Sequence, residues 1–252
     1  MIRTIFVAVS LPLFILLVGP PLLLYTWISN DPEAIYRIGL GGCYWVSRAV
    51  GMRQRVEGAE KIPPRTVFFM ANHSSFVDAV PVVHAIPRRV AILAKKSLFE
   101  LPIVGWAFKM AGFVPVDRSN RESAIASVEF AAARLKSGVS FLAYPEGTRS
   151  YDGRLLAFKK GIFVMAIAAG ATIVPMVAIG VHRIMPKKSL TIRPGEVVVR
   201  FGEPIESSGY TVDDREALAA RVRAAMIALL PPDQQPLDSR VSDVEESPKM
   251  SA

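Results

Sequence analysis

The run Asn72-His73-Ser74-Ser75-Phe76-Val77-Asp78 sets an imidazole and a carboxylate five positions apart, directly after a short apolar stretch. Histidine is the side chain whose ordinary pKa lets it take up and return a proton near neutrality. A carboxylate bonded to one ring nitrogen fixes the tautomer and stabilises the cation, while the other nitrogen can take a proton from an alcohol. On a continuous helix the two side chains would stand about 140° apart. They meet if His73 lies on a loop and Asp78 in the first turn of the helix that follows. The same residues admit a structural reading, in which Ser75-Phe76-Val77-Asp78 is a capping box and Asp78 serves the helix alone. The spacing by itself leaves both open.

Basic residues recur at the ends of other apolar runs. Arg118 closes Gly112-Phe113-Val114-Pro115-Val116-Asp117, Arg149 follows Tyr144-Pro145-Glu146-Gly147-Thr148, and Lys95-Lys96 and Lys159-Lys160 form two more clusters. Strand ends are where α/β sheets hold ligands, and a guanidinium fork matches a phosphate. Singly each reads as well as a solvated charge, Arg118 as an ion pair with Asp117 or Glu122. Together the four clusters point to a phosphorylated ligand. Ser74 and Ser75 raise a second chemistry, a serine hydrolase, but the chain has no Gly-x-Ser-x-Gly elbow and a serine beside His73 points away from it more easily than toward it. A third reading is an anionic-lipid-binding protein without catalysis. The histidines His73, His84 and His182 lack ligand-like spacing, and the single Cys43 rules out an internal disulfide or a multi-cysteine zinc site. No metal and no cofactor are expected.

These residues need a scaffold. From Thr66 onward short apolar runs alternate with longer helical stretches, the pattern of an α/β domain with a central sheet flanked by helices. Strands are expected at Thr66–Ala71, Val90–Ala94, Gly112–Val116, Val139–Tyr144, Thr172–Ile179 and Val197–Phe201. Helices are expected at Ser75–Ile86, Glu100–Ala111, Arg121–Ser137, Gly161–Ala169 and Val212–Leu230.

Upstream, Thr4 to Ile28 form a 25-residue stretch without a charged side chain, longer than the roughly 20 residues that cross a hydrocarbon core. Pro12 and Gly19-Pro20-Pro21 are expected to kink or break it, which leaves a kinked span, a re-entrant helix and a helix lying in the interface as alternatives. A second helix is expected over Glu33–Val50. Tyr25, Trp27, Tyr44 and Trp45 suit the headgroup level, and Arg37, Arg48, Arg53 and Arg55 follow the apolar stretch while Arg3 alone precedes it, placing the large domain on the cytoplasmic face. The net charge is +8, and the tail from Pro231 carries five acidic and two basic residues, so the remainder is more basic still. Beside a lipid-seeking segment, that charge favours phospholipid over nucleic acid.

Asn72-His73-x4-Asp78, Phe113 to Arg118, Pro145-Glu146-Gly147-Thr148-Arg149 and Ile173-Val174-Pro175 resemble the four ordered blocks of the 1-acylglycerol-3-phosphate O-acyltransferase (lysophosphatidate acyltransferase) family. Ala94 to Phe99 and Phe158 to Gly161 are similar to further stretches of it. The resemblance covers about Gly51 to Ile205, with Tyr144 standing where the family commonly has Phe. It implies a central mixed β-sheet, His73 as general base and Asp78 as its orienting partner. It further implies Lys95 and Arg118 as ligands of the acceptor phosphate, and Glu146, Gly147, Thr148 and Arg149 as the lining of the acceptor site. It implies a lysophospholipid acceptor, 1-acylglycerol 3-phosphate, with another lysolipid or glycerol 3-phosphate as the alternative, and an acyl thioester donor, either acyl-CoA or acyl-carrier protein. Three regions follow: residues 1–52 as a membrane anchor, 53–230 as the catalytic domain and 231–252 as a disordered tail.

Overall fold

A computed structural model of the chain describes residues 1–117 and 121–237. Two N-terminal helices, α1 (Ile2–Ser29) and α2 (Pro32–Ala49), precede β1 (Met52–Glu57), β2 (Val67–Ala71), α3 (Ala79–Ala85), β3 (Ala91–Lys95), α4 (Val104–Met110) and β4 (Val114–Val116). There follow α5 (Arg121–Lys136), β5 (Phe141–Ala143), α6 (Gly161–Ala169), β6 (Thr172–Ile179), α7 (Val181–Ile184), β7 (Gly195–Phe201), β8 (Ile205–Glu206) and α8 (Arg215–Leu229). The strands form one eight-stranded sheet in the order β1-β7-β6-β2-β5-β3-β4, with β8 also pairing β6. Pairing is parallel from β6 through β4 and antiparallel between β6 and its neighbours β7 and β8, so the sheet is mixed.

All five residues of β2 are buried, as a strand covered on both faces requires. Its side chains alternate between two cores. Val67, Phe69 and Ala71 join Leu22, Ile35, Val82 and Met176 on the face covered by α1, α2 and α3. Phe68 and Met70 join Phe141, Phe163, Leu218 and Met226 beneath α5, α6 and α8. Pro175 interrupts a central strand without harm. It falls between the β8 pairing at Thr172 and Ile173 and the β7 pairing that starts at Met176. There its carbonyl accepts the Gly202 N–H at 2.8 Å.

The expected elements are present, several with shorter ends, β6 and α6 as expected and β7 two residues longer, and three expectations change. The proline pair does not break the first helix: α1 runs through Pro12, Pro20 and Pro21. Contacts on both sides of the pair hold its axis, with the Phe14 ring against Gly42, and Gly19 and Leu22 packed inward against Ile103 and the core. β1 was not expected. It alternates only weakly, yet it pairs β7 along six residues at the sheet edge. Finally, residues 231–237 are not a loose tail. Gln234 is buried and its carbonyl accepts the Leu155 N–H, while Asp233 pairs with Arg183. The rest of the expected tail, from residue 238, lies outside the described residues.

Candidate active site

The parallel strands β2, β5, β3 and β4 end on the same side of the sheet, and the loop leaving β2 carries His73. Asn72 prolongs the strand with its side chain: its amide oxygen accepts the Ala178 N–H at 2.7 Å and its amide nitrogen donates to the Ala178 carbonyl at 3.2 Å. The chain then turns, and His73 Nδ1 lies 2.7 Å from Asp78 Oδ2. The same carboxylate oxygen accepts the backbone N–H of Ser74 at 2.6 Å and of Ser75 at 2.7 Å. Asp78 is fully buried, whereas the His73 side chain keeps 19% of its surface. Nδ1 facing a buried carboxylate carries the proton, so Nε2 is the basic nitrogen. Among the described residues Nε2 has no hydrogen-bond partner.

Half of the capping box is present. Asp78 reaches back to the Ser75 N–H, but the Ser75 hydroxyl donates to the Met185 carbonyl and α3 begins only at Ala79. Asp78 therefore closes the His73 loop instead of capping the helix. Both serines are buried with their hydroxyls engaged, Ser74 Oγ on Asp78 Oδ1 and Ser75 Oγ on Met185, away from the imidazole nitrogens. That geometry disfavours a serine nucleophile.

Glu146 differs most from expectation. It is buried, and its two oxygens accept the backbone N–H groups of His73 at 2.6 Å and Leu156 at 2.9 Å. Burial pushes its pKa up to about 8, against the pull of those two amides. A side chain so enclosed holds the loop and does not line an open site. Ser150 completes the clamp by donating its N–H to the His73 carbonyl at 2.8 Å. Both backbone groups of His73 are thus held by the loop that follows β5. Gly147 makes the tight turn, with φ 68° and its N–H on the Tyr144 carbonyl.

The Tyr144 ring stacks on the His73 ring with centroids 4.3 Å apart and planes 23° from parallel. Its hydroxyl is buried and unpaired, and burial with the nearby Asp78 charge raises its pKa well above normal. Arg149 is half-buried with its guanidinium 5.8 Å from the Phe76 ring centre, and Thr148 is exposed. Lys95 is exposed at the end of β3, in register with Val116, and forms no hydrogen bond with the His73 group. Arg118 lies outside the described residues. The sequence reading missed the positioning roles of Tyr144, Asn72 and Ser150. The last two stand inside or beside the motifs, but hydrogen bonds to residues 77 and 106 positions away leave no local signal.

On the sheet face covered by α1 and α2, these helices and α4 enclose an apolar cleft of about 250 Å³ whose walls include Leu11, Phe14, Val18, Tyr36, Leu40 and Phe108.

A sheet-end imidazole tied to a buried carboxylate, in a chain that also holds an apolar cleft under its N-terminal helices, suits transfer of a group with a hydrocarbon chain. Residues 53–179 match the family described as Acyltransferase, and the chain belongs to that family. Among its relatives are proteins named 1-acyl-sn-glycerol-3-phosphate acyltransferase. The one from Cocos nucifera is 35% identical over 189 residues, 75% of this chain and 61% of that protein. The one from Limnanthes douglasii is 32% identical over 82% of this chain and 76% of its own length. The crystal structure of the 1-acyl-sn-glycerophosphate (LPA) acyltransferase PlsC from Thermotoga maritima aligns with a TM-score of 0.76 at 27% identity, covering 90% of this chain and 93% of that one.

Proposed function

We propose that this chain transfers a fatty acyl group from an acyl thioester, acyl-CoA or acyl-carrier protein, to the sn-2 hydroxyl of 1-acylglycerol 3-phosphate, giving phosphatidate for phospholipid synthesis. The observation that carries the reading is the 2.7 Å contact of His73 Nδ1 with the buried Asp78, which leaves Nε2 as a base. His73 Nε2 takes the proton of the acceptor hydroxyl as its oxygen attacks the thioester carbonyl. The C–O bond forms, the C–S bond breaks, and the imidazolium returns the proton to the departing thiolate. Asp78 stabilises the imidazolium in between. No step calls for a metal, a cofactor or a covalent enzyme intermediate.

Lys95, Arg149 and Arg118 hold the acceptor phosphate in this reading, Gly147 and Thr148 border it, and the apolar cleft receives hydrocarbon. α1, long and apolar enough to cross a membrane, keeps the protein where its substrates dissolve, with the catalytic domain on the cytoplasmic side. The relatives' names favour lysophosphatidate over other lysolipids. A panel of acceptors given to membranes with a labelled acyl thioester tests the proposal. Lysophosphatidate is expected to be acylated, with His73→Ala inactive and Asp78→Asn slower by about 10²–10⁴ in kcat. Wild-type transfer by His73→Ala would end the enzymatic reading, and activity confined to another lysolipid would replace the acceptor.

A further inference from the structure

At the opposite end of the sheet, where β2, β3 and β5 begin, Arg88, Arg89 and Arg134 surround a cavity of about 230 Å³ together with Thr66, Gly138 and Ser140. Among the described residues no carboxylate lines it. The guanidiniums are held from behind. Arg88 donates to the carbonyls of Pro63, Pro64 and Arg65, and Arg134 donates to Gly112 while lying about 6 Å from the ring centres of Phe130 and Phe141. Among the described residues Arg89 pairs with Glu33 alone, at 3.8 Å and with both side chains partly exposed. The neighbouring Arg65 and Glu206 pair with each other.

A guanidinium has five N–H donors, so three backbone bonds on Arg88 and one on Arg134 fix them without exhausting those donors. We propose that this cavity is a binding site for a phosphate-bearing anion, separate from the catalytic end. Three cations held around one space repel one another, and an anion between them removes that repulsion while meeting donor forks suited to phosphate. Burial and the adjacent Arg89 charge already lower the pKa of Arg134, the signature of a cation short of a counter-charge. The site is independent of the transfer chemistry proposed above. Free phosphate and a phospholipid headgroup present the same chemistry to it. The α1–α2 turn close by, with Trp27 and Ile28 exposed and Glu33 on Arg89, admits either.

The test uses the full chain in detergent, titrated with inorganic phosphate and followed by thermal unfolding, and then bound to phosphatidylcholine vesicles with and without phosphatidate. Arg89→Gln is the first variant because its side chain is partly exposed and its ion pair with Glu33 is long, at 3.8 Å. Arg88→Gln is the second, and Lys95→Gln controls for the catalytic end. Phosphate is expected to protect saturably. Arg89→Gln should raise the half-protecting concentration by about tenfold, as loss of a charge-assisted bond does, while Lys95→Gln and acyl transfer by Arg89→Gln stay unchanged. If phosphatidate-dependent vesicle binding also falls in Arg89→Gln, the occupant is a headgroup, and if it does not, free phosphate. Titration of both arginine variants like wild type would overturn the proposal. So would loss of all protection in Lys95→Gln.

Discussion

The imidazole at position 73 is constrained on every side except the one it needs. Asp78 holds Nδ1, Glu146 and Ser150 hold the backbone, and Tyr144 holds the ring face. A buried hydroxyl without a partner costs roughly 1–3 kcal/mol, and the stack does not need it. Tyr144→Phe is therefore expected to keep kcat and to unfold at the same or a higher temperature, whereas Tyr144→Leu, which loses the ring, lowers kcat with little change in KM. Equal kcat for both variants would show that the stack positions nothing. Glu146 gives a pH signature. Its carboxyl loses its proton near the ordinary 4.5 when unfolded but near 8 when folded. Between those values the folded state holds the extra proton, so stability from this group falls as pH rises. Thermal unfolding from pH 5 to pH 9 is expected to show that decline in wild type and to lose much of it in Glu146→Gln. The pairing of His73 with Asp78 was legible in the sequence because they stand only five positions apart. The role of Glu146 was not, because a carboxylate inside a motif looks the same whether it faces a ligand or two amides.

Among the elements, legibility followed the distance over which each is determined. β6 and α6 were expected with the ends they have, because a long apolar run and a run closed by Gly170 carry their own boundaries. β1 was invisible because its reason for being a strand is β7, far along the chain. The proline pair misled for the same reason. An isolated helix would break there, but α1 is backed by α2 and α4 across the interruption. Gly42 is the tightest point of that backing, since a Cβ there would sit 2.2 Å from the Phe14 ring. Gly42→Val is expected to cost about 1–3 kcal/mol through overpacking and to loosen α1 from α2. The check is faster protease cleavage near Asn30, with Gly41→Val, which meets open space, as the control.

As a whole the molecule divides its apolar surface between an inner and an outer use. One side of α1 covers the sheet, and the other exposes Leu13, Leu16, Leu17 and Leu24. Leu16→Lys with Leu17→Lys leaves the inner packing intact, so the protein is expected to fold yet leave the membrane pellet, each lysine costing about 2.5–3.5 kcal/mol in a spanning helix. Retention in the pellet would place the anchor elsewhere.

The clamp on His73 also sets an order of events during synthesis. α1 leaves the ribosome ahead of the sheet and can reach lipid before it, while Asn72 waits for Ala178, 106 residues later, and His73 for Glu146, 73 residues later. The geometry around His73 in a nascent chain is thus incomplete until most of the sheet has been made, and translation itself times its completion.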